Sequence, residues 1–240
     1  RCPGGGIASE DCQFLLTLWD AATWSILWSQ ADPDIGNGRA IFSPDGRYVA
    51  SAGTTRTLRL WHVNATSLTL AKSVPNAETS NFEALCFTSD GSRIVTGTDG
   101  GRLRVWDAFS LAPGPEKVAA HYVDGQGSVG IDAIDTHGDW LVSAGPDQSV
   151  RVWNLGTLEL QKGVRGLASD AYSVAFSPDG RRVMFGRDKV SGVSGDAQAL
   201  ESWQWRVGRG DGARTKHEVA LYDTTLESSE AVADAVGADA

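Results

Sequence analysis

The chain has 240 residues, enough to bury a sizeable core as one large all-β or α/β domain or as two smaller ones. Hydrophobic residues at 41% and charged residues at 21% argue against a disordered chain. With 21 Lys and Arg against 30 Asp and Glu the formal charge is −9, so the surface as a whole repels polyanions and sequence-independent nucleic-acid binding is not expected.

Twenty-eight Gly and nine Trp beside a single Met suggest many tight turns and a large aromatic residue in a repeated packing role. Cys2, Cys12 and Cys86 are odd in number and show no C-x-x-C or His/Cys ligand spacing, so neither a disulfide framework nor a zinc site is indicated, and reduced thiols point to an intracellular setting. No run approaches the roughly 18 apolar residues of a membrane span, and no basic start followed by an apolar stretch marks a secretory signal. The chain begins RCPGGG rather than with Met, which suggests a piece of a longer protein.

In chain order, GIASEDCQFLLTLWD ends on Trp19 and Asp20 and matches YVASAGTTRTLRLWH, so it reads as the end of a unit whose first part is missing. The next unit runs from Phe42 to Trp61, and the following ones from Phe87 to Trp106 and from Ile134 to Trp153, each a step of 19. Successive tryptophans Trp19, Trp61, Trp106 and Trp153 stand 42, 45 and 47 residues apart. The phrase FSPDGR occurs at 42–47 and again at 176–181, opening a fifth unit. Its tryptophan is due near position 195, which is glycine; Tyr222-Asp223 of HEVALYDTT takes its place, so the unit carries 27 extra residues within 187–216.

Short β-rich runs fill each unit: AIF, YVASA and TLRLW; ALCF, RIVTG and LRVW; DAIDT, WLVSA and SVRVW; SVAF, RVMFG and VALYD. SPDG between the first two runs is turn chemistry, with Pro fixing φ, Asp bonding nearby backbone and Gly taking the left-handed conformation. The phrase repeats because a hairpin repeats. A hydroxyl stands ten residues before each tryptophan, at Ser9, Ser51, Thr96 and Ser143.

A period of about 40–45 residues with four short strands and a Trp-Asp-like dipeptide resembles the WD-repeat β-propeller family. The dipeptide reads Trp19-Asp20, Trp61-His62, Trp106-Asp107 and Trp153-Asn154, literal in two of four. The resemblance implies an all-β propeller of four-stranded antiparallel blades, about five units with the first partial, at about 1–30, 31–75, 76–122, 123–164 and 165–235, forming an open arc of a larger ring. Residues 227–240 read as an acidic, Ala-rich tail. The family's Gly-His dipeptide is mostly absent, but His121 lies in a matching place, and the resemblance makes His121, Ser143, Asp147 and Trp153 a hydrogen-bonded structural tetrad. Trp19, Trp61, Trp106, Ser51 and Thr96 take the corresponding structural positions in the other units.

Other motifs carry little. Gly125 to Gly130 spells G-x-G-x-x-G but precedes a strand and opens no helix, so it reads as a loop between blades and not as a dinucleotide site. Asn64-Ala65-Thr66 is a sequon without secretory context, and Arg209-Gly210-Asp211 is too short a match to carry an integrin-binding claim. His62, His121, His137 and His217 have no metal-ligand spacing, and no G-x-S-x-G elbow accompanies the Ser, His and Asp set. No catalytic residue, metal or cofactor is assigned.

The expected role is a non-catalytic scaffold binding proteins or peptides within a multiprotein assembly, intracellular, with no nucleic acid or membrane partner. Its alternative is a regulatory or docking portion of a larger enzyme or signalling protein. Residues 202–216 carry Trp203, Trp205, Arg206, Arg209, Arg214 and Lys216 against Asp211, a local charge of +3, and Trp and Arg are typical of binding hot spots. The same residues fit an extra hairpin packed on a blade edge, and the sequence leaves both readings open. Shorter loops near Thr54–Arg56, Asp99–Arg102 and Asp147–Gln148 are expected on the same face, with Arg56 and Arg102 as candidate partner contacts.

Overall fold

The computed structural model describes residues 15–31, 39–167, 169–188 and 217–223, and among these every regular element is a β-strand. Strands β1 (Leu15–Trp19) and β2 (Ile26–Ala31) pair as a hairpin. Strands β3 (Arg39–Phe42), β4 (Tyr48–Ala52), β5 (Leu58–Val63) and β6 (Leu68–Val74) form one four-stranded sheet. A second holds β7 (Phe82–Phe87), β8 (Arg93–Thr98), β9 (Leu103–Asp107) and β10 (Pro113–Lys117). After the short strands β11 (Tyr122–Val123) and β12 (Gly127–Ser128) comes a third, of β13 (Ala133–His137), β14 (Trp140–Gly145), β15 (Ser149–Asn154) and β16 (Leu160–Val164). Strands β17 (Ala171–Phe176), β18 (Arg182–Asp188) and β19 (His217–Asp223) make the last sheet. Each strand pairs antiparallel with its successor, so every sheet is a meander.

The second strand of each four-stranded sheet shows why the alternation expected of a half-exposed sheet is missing. In β4 and β14 nearly every residue is buried, because both faces meet a neighbouring sheet. Small residues then set the close approach: Ala50 and Ala52 lie against Phe82, Ile94 and Trp106 of the next sheet. Ala84 and Val95 meet Leu141 and Trp153 in the same way, and Val142 and Ala144 meet Val183 and Phe185. At Gly97 a Cβ would stand 2.8 Å from Ile131 Cγ2, so any side chain there would push the incoming linker off the sheet.

Every core thus lies between two successive sheets, and each tryptophan packs backward onto its predecessor. Trp106 and Trp153 are 1% exposed and Trp61 3%. Truncation of such a core side chain costs about 3–5 kcal/mol. Trp61 meets Trp28 edge to face at 6.1 Å, which seats the β1–β2 hairpin on the first four-stranded sheet. Sheets stacked face to face in chain order, each a meander, are the blades of a β-propeller, and among the described residues they form an arc that is not closed into a ring.

The repeated phrase is a closed hydrogen-bonded turn. Ser43 Oγ donates to Asp45 Oδ1 (2.6 Å) and accepts from Tyr48 N (2.9 Å), while Arg47 N donates to the same carboxylate oxygen (3.0 Å). Gly46, at φ 71°, closes the turn. Ser177, Asp179, Arg181 and Arg182 repeat it, and Thr88, Asp90, Ser92 and Arg93 build it without the proline.

Residues 122–128 differ from the expected plain loop. They form the β11–β12 hairpin, because Gly125 and Gly127 both take positive φ and reverse the chain tightly. Of the insertion expected at 187–216, residues 187 and 188 form the end of β18, paired with β19, and 189–216 lie outside the described residues. The tail, at 227–240, lies outside the described residues.

Candidate functional site

One face of the arc is built from the turns between second and third strands together with the linkers that join sheets. In each turn one residue is left-handed: Arg56 (φ 60°), Gly101 (φ 73°) and Gln148 (φ 57°). Its carbonyl then accepts from the linker, through Ala77 N (2.8 Å), Ala120 N (2.8 Å) and Leu167 N (3.1 Å) respectively. The residues after Ala77 and Ala120 are therefore equivalent in space. They are Glu78 and His121.

His121 enters the third sheet fully buried. The Trp153 indole N–H donates to Ser143 Oγ (2.9 Å), Ser143 Oγ lies 2.7 Å from His121 Nε2, and His121 Nδ1 lies 2.7 Å from Asp147 Oδ1. Donation in one direction satisfies all four groups with a neutral imidazole protonated on Nδ1. Ser149 Oγ donates to Asp147 Oδ1 (2.6 Å), and Tyr122 N (3.1 Å) and Arg151 Nη2 (2.6 Å) donate to Oδ2. Burial pushes the Asp147 carboxyl up, but the hydrogen bonds from His121 and Ser149 and the Arg151 charge outweigh it and hold the group below its ordinary value. Ser143 and His121 are both 0% exposed, so this Ser-His-Asp set cannot meet a substrate carbonyl in this arrangement.

Glu78 replaces the histidine one sheet earlier, and the chemistry around it changes. Its side chain is 2% exposed; Oε1 lies 3.1 Å from Arg104 Nε and Oε2 3.4 Å from Arg102 Nε, close enough to pair as ions though the first pair is not aligned as a hydrogen bond. Glu116 accepts from both Arg102 Nη1 (2.7 Å) and Arg104 Nη2. Arg104 also lies 5.2 Å from the Trp106 ring centroid. Burial raises the Glu78 carboxyl above its usual range, the two guanidinium groups only partly opposing it. Thr96 accepts from the Trp106 indole N–H (3.0 Å), and Ser51 does so for Trp61 (2.8 Å). In the last sheet the register puts Phe185, buried, where the others have the hydroxyl.

Trp19 is 49% exposed, and Ser9 lies outside the described residues, as do Trp203, Trp205, Arg206 and Arg209. Arg56 is exposed on the inner-turn face, with Nη1 3.4 Å from the Thr79 carbonyl. Arg102 is on that face too, half-buried and committed to Glu78 and Glu116. Residues not singled out by sequence include Glu78, Arg104, Glu116 and Arg151, and also a cleft. Of the three described linkers, 75–81, 118–132 and 165–170, the middle one is longest and carries the hairpin. Ser128 Oγ donates to the Gly100 carbonyl (2.7 Å) and fixes its far strand. Beside the hairpin a cleft of about 490 Å³ is lined by Lys117, Tyr122, Asp124, Arg151, Leu160 and Arg165, with Asp147 and Trp153 deeper in. The length of 118–132 against 75–81 was the available signal. Burial pulls the Arg151 guanidinium below its ordinary value and the nearby Arg165 charge adds to this, Asp147 opposing.

The sequence profile of the WD domain, G-beta repeat, matches residues 37–62, 72–107 and 119–154. The matched residues are WD repeats of a β-propeller. The chain is similar to the LEC14B protein of Lithospermum erythrorhizon, at 27% identity over 51% of this chain and 25% of that protein. It is also similar to the target of rapamycin complex subunit wat1 of Schizosaccharomyces pombe, at 26% identity over 62% of this chain and 45% of that protein. The chain thus spans a quarter to under half of these curated relatives. In fold it is similar to the crystal structure of the RRP9 WD40 repeats, with a TM-score of 0.52 and 18% identity over 62% of this chain and 44% of that one.

Proposed function

We propose that the chain is a non-catalytic platform that binds proteins or peptides inside the cell, on the face built from the inner turns and linkers and also through the 187–216 insertion. The observation that carries this reading is the β11–β12 hairpin standing on that face, while the Ser143-His121-Asp147 set beneath it is sealed from solvent. Packed strands fix the frame, and loops on it are free to vary for recognition. Similarity to a subunit of a target of rapamycin complex supports assembly with other proteins.

Photo-crosslinking residues placed at Arg56 and Gln126, on the inner-turn face, and at Ser110, in the turn at the opposite end of the second four-stranded sheet, test the reading in cells. Protein adducts at the first two and few at Ser110 are the expected result. Adducts equal at all three, or at Ser110 alone, would overturn it.

A further inference from the structure

The cleft beside the hairpin carries an imbalance of charge that the fold does not use. Lys117, at the end of β10, and Arg165, just after β16, are exposed, and their side chains make no ion pair or hydrogen bond among the described residues. Arg151 forms part of the floor, 6% exposed, with Nη1 on the Ala120 carbonyl, Nη2 on Asp147 and Nε without a hydrogen-bond partner. Asp147 is already engaged by His121, Ser149, Tyr122 and Arg151, which leaves Asp124 as the free carboxylate among the lining residues against two free cations. Tyr122 and Leu160 are exposed at 49% and 45% on the same walls and offer an apolar surface between the charges. On a chain of net charge −9 a locally positive cleft selects against general polyanion binding and for a short acidic element that reaches this spot.

Resting on the platform reading, we propose that this cleft recognises an acidic segment of a protein partner, with an Asp or Glu carboxylate held between Lys117 and Arg165 and an adjacent Leu or Phe set against Tyr122 and Leu160. Such a pairing joins an amphipathic aromatic anchor to flanking charge, the usual composition of an energetically dominant contact. The exposed cations steer the encounter, and Tyr122 and Leu160 supply the area removed from water.

The test uses the full chain and fluorescein-labelled 12-residue peptides in anisotropy titrations. One peptide has Asp and Glu around a central Leu-Phe, a second has those acids changed to Lys, and a third keeps the acids but has Ala for Leu-Phe. The first is expected to bind at least about tenfold more tightly than either of the others, and to weaken several-fold between 50 and 200 mM salt. The Lys117→Glu/Arg165→Glu variant, with unchanged melting temperature, should lose about tenfold in affinity for the first peptide and gain for the second. Equal binding of acidic and basic peptides, an unchanged preference in the charge-reversed variant, or heparin binding as tightly as the first peptide would each overturn the assignment. Crosslinks persisting at Gln126 without any acidic preference would sink this assignment and leave the platform reading standing. Peptide discrimination without crosslinks would do the reverse.

Discussion

The second and third four-stranded sheets solve the same problem with different chemistry. Each must lock an incoming linker onto the sheet it enters, once a left-handed turn residue of the preceding sheet, Arg56 or Gly101, holds that linker by its carbonyl. The third then sends in His121 and ties it to Ser143, Asp147 and Arg151, a network in which every polar atom but Arg151 Nε has a partner. The second sends in Glu78, and Gly100, beside the Ser80 side chain, stands at the site equivalent to Asp147. Arg102 and Arg104 supply the countercharge, with Glu116 outside them. One lock is hydrogen-bonded and interior; the other is ionic and reaches the surface.

The sharpest way to break the comparison is to remove one acid from each lock. Asp147→Ala strands the buried Arg151 charge and leaves His121 Nδ1 with only Ser149 Oγ at 3.3 Å, and is expected to cost about 3–5 kcal/mol in urea unfolding. Glu78→Ala leaves Arg102 and Arg104 with Glu116, and is expected to cost about 1–2 kcal/mol. Raising NaCl to about 0.5 M should shrink the second loss and leave the first nearly unchanged, since mobile ions screen the partly exposed cluster but do not reach the buried one. Equal losses, or equal salt responses, would show that the two locks are energetically alike.

Acid separates them by sign. Asp147 sits below its ordinary value when folded, so it contributes stability that is present above the unfolded carboxyl range near pH 4 and disappears as pH falls through the folded value. Glu78 is raised, so the folded state takes up its proton first and gains stability as pH falls from about 7 toward the unfolded Glu range. The deficit of Glu78→Gln relative to the parent chain should therefore widen between pH 7 and 4.5, while that of Asp147→Asn narrows below pH 4. Melting temperatures across that range measure both. The turn acids add to the acid loss: hydrogen bonds from Thr88 and Ser92 hold Asp90 down to about 2, so its share goes only as pH falls below 4 toward 2.

The difference between the locks also explains what the sequence disclosed. Tryptophan spacing and the SPDG turn located the strands, because large buried residues and left-handed glycines leave few alternatives in the chain. His121 was reachable through resemblance to a family pattern. Glu78 was not, since a lone Glu in PNAETS reads as solvated surface until the folded linker brings it within 3.1 Å of Arg104, two residues before its tryptophan as Arg151 is before Trp153. Arg102 is the opposite case: an Arg in a loop suggested a partner contact, and nothing around it in the chain pointed to its ion pairs with Glu78 and Glu116. The cleft went unseen because Lys117, Tyr122 and Arg165 are brought together only by packing two sheets around the hairpin.

The smallest expected effect concerns the left-handed turn residue itself, where the two sheets again differ. Gln148 holds φ 57° with a side chain, a conformation that costs an L-residue roughly 1–2 kcal/mol, whereas Gly101 holds φ 73° without that penalty. Gln148→Gly relieves the strain but loosens the unfolded chain, so a net gain of about 0.5 kcal/mol is expected. Gly101→Ala should instead destabilise by more than that gain, because the new Cβ meets both the left-handed penalty and the Ser128 hydroxyl and Val129 carbonyl of the hairpin linker. Thermal unfolding of the two variants measures the asymmetry. A loss for Gln148→Gly would mean that the glutamine side chain, and not the backbone carbonyl it presents to Leu167, is what holds the third sheet to the last.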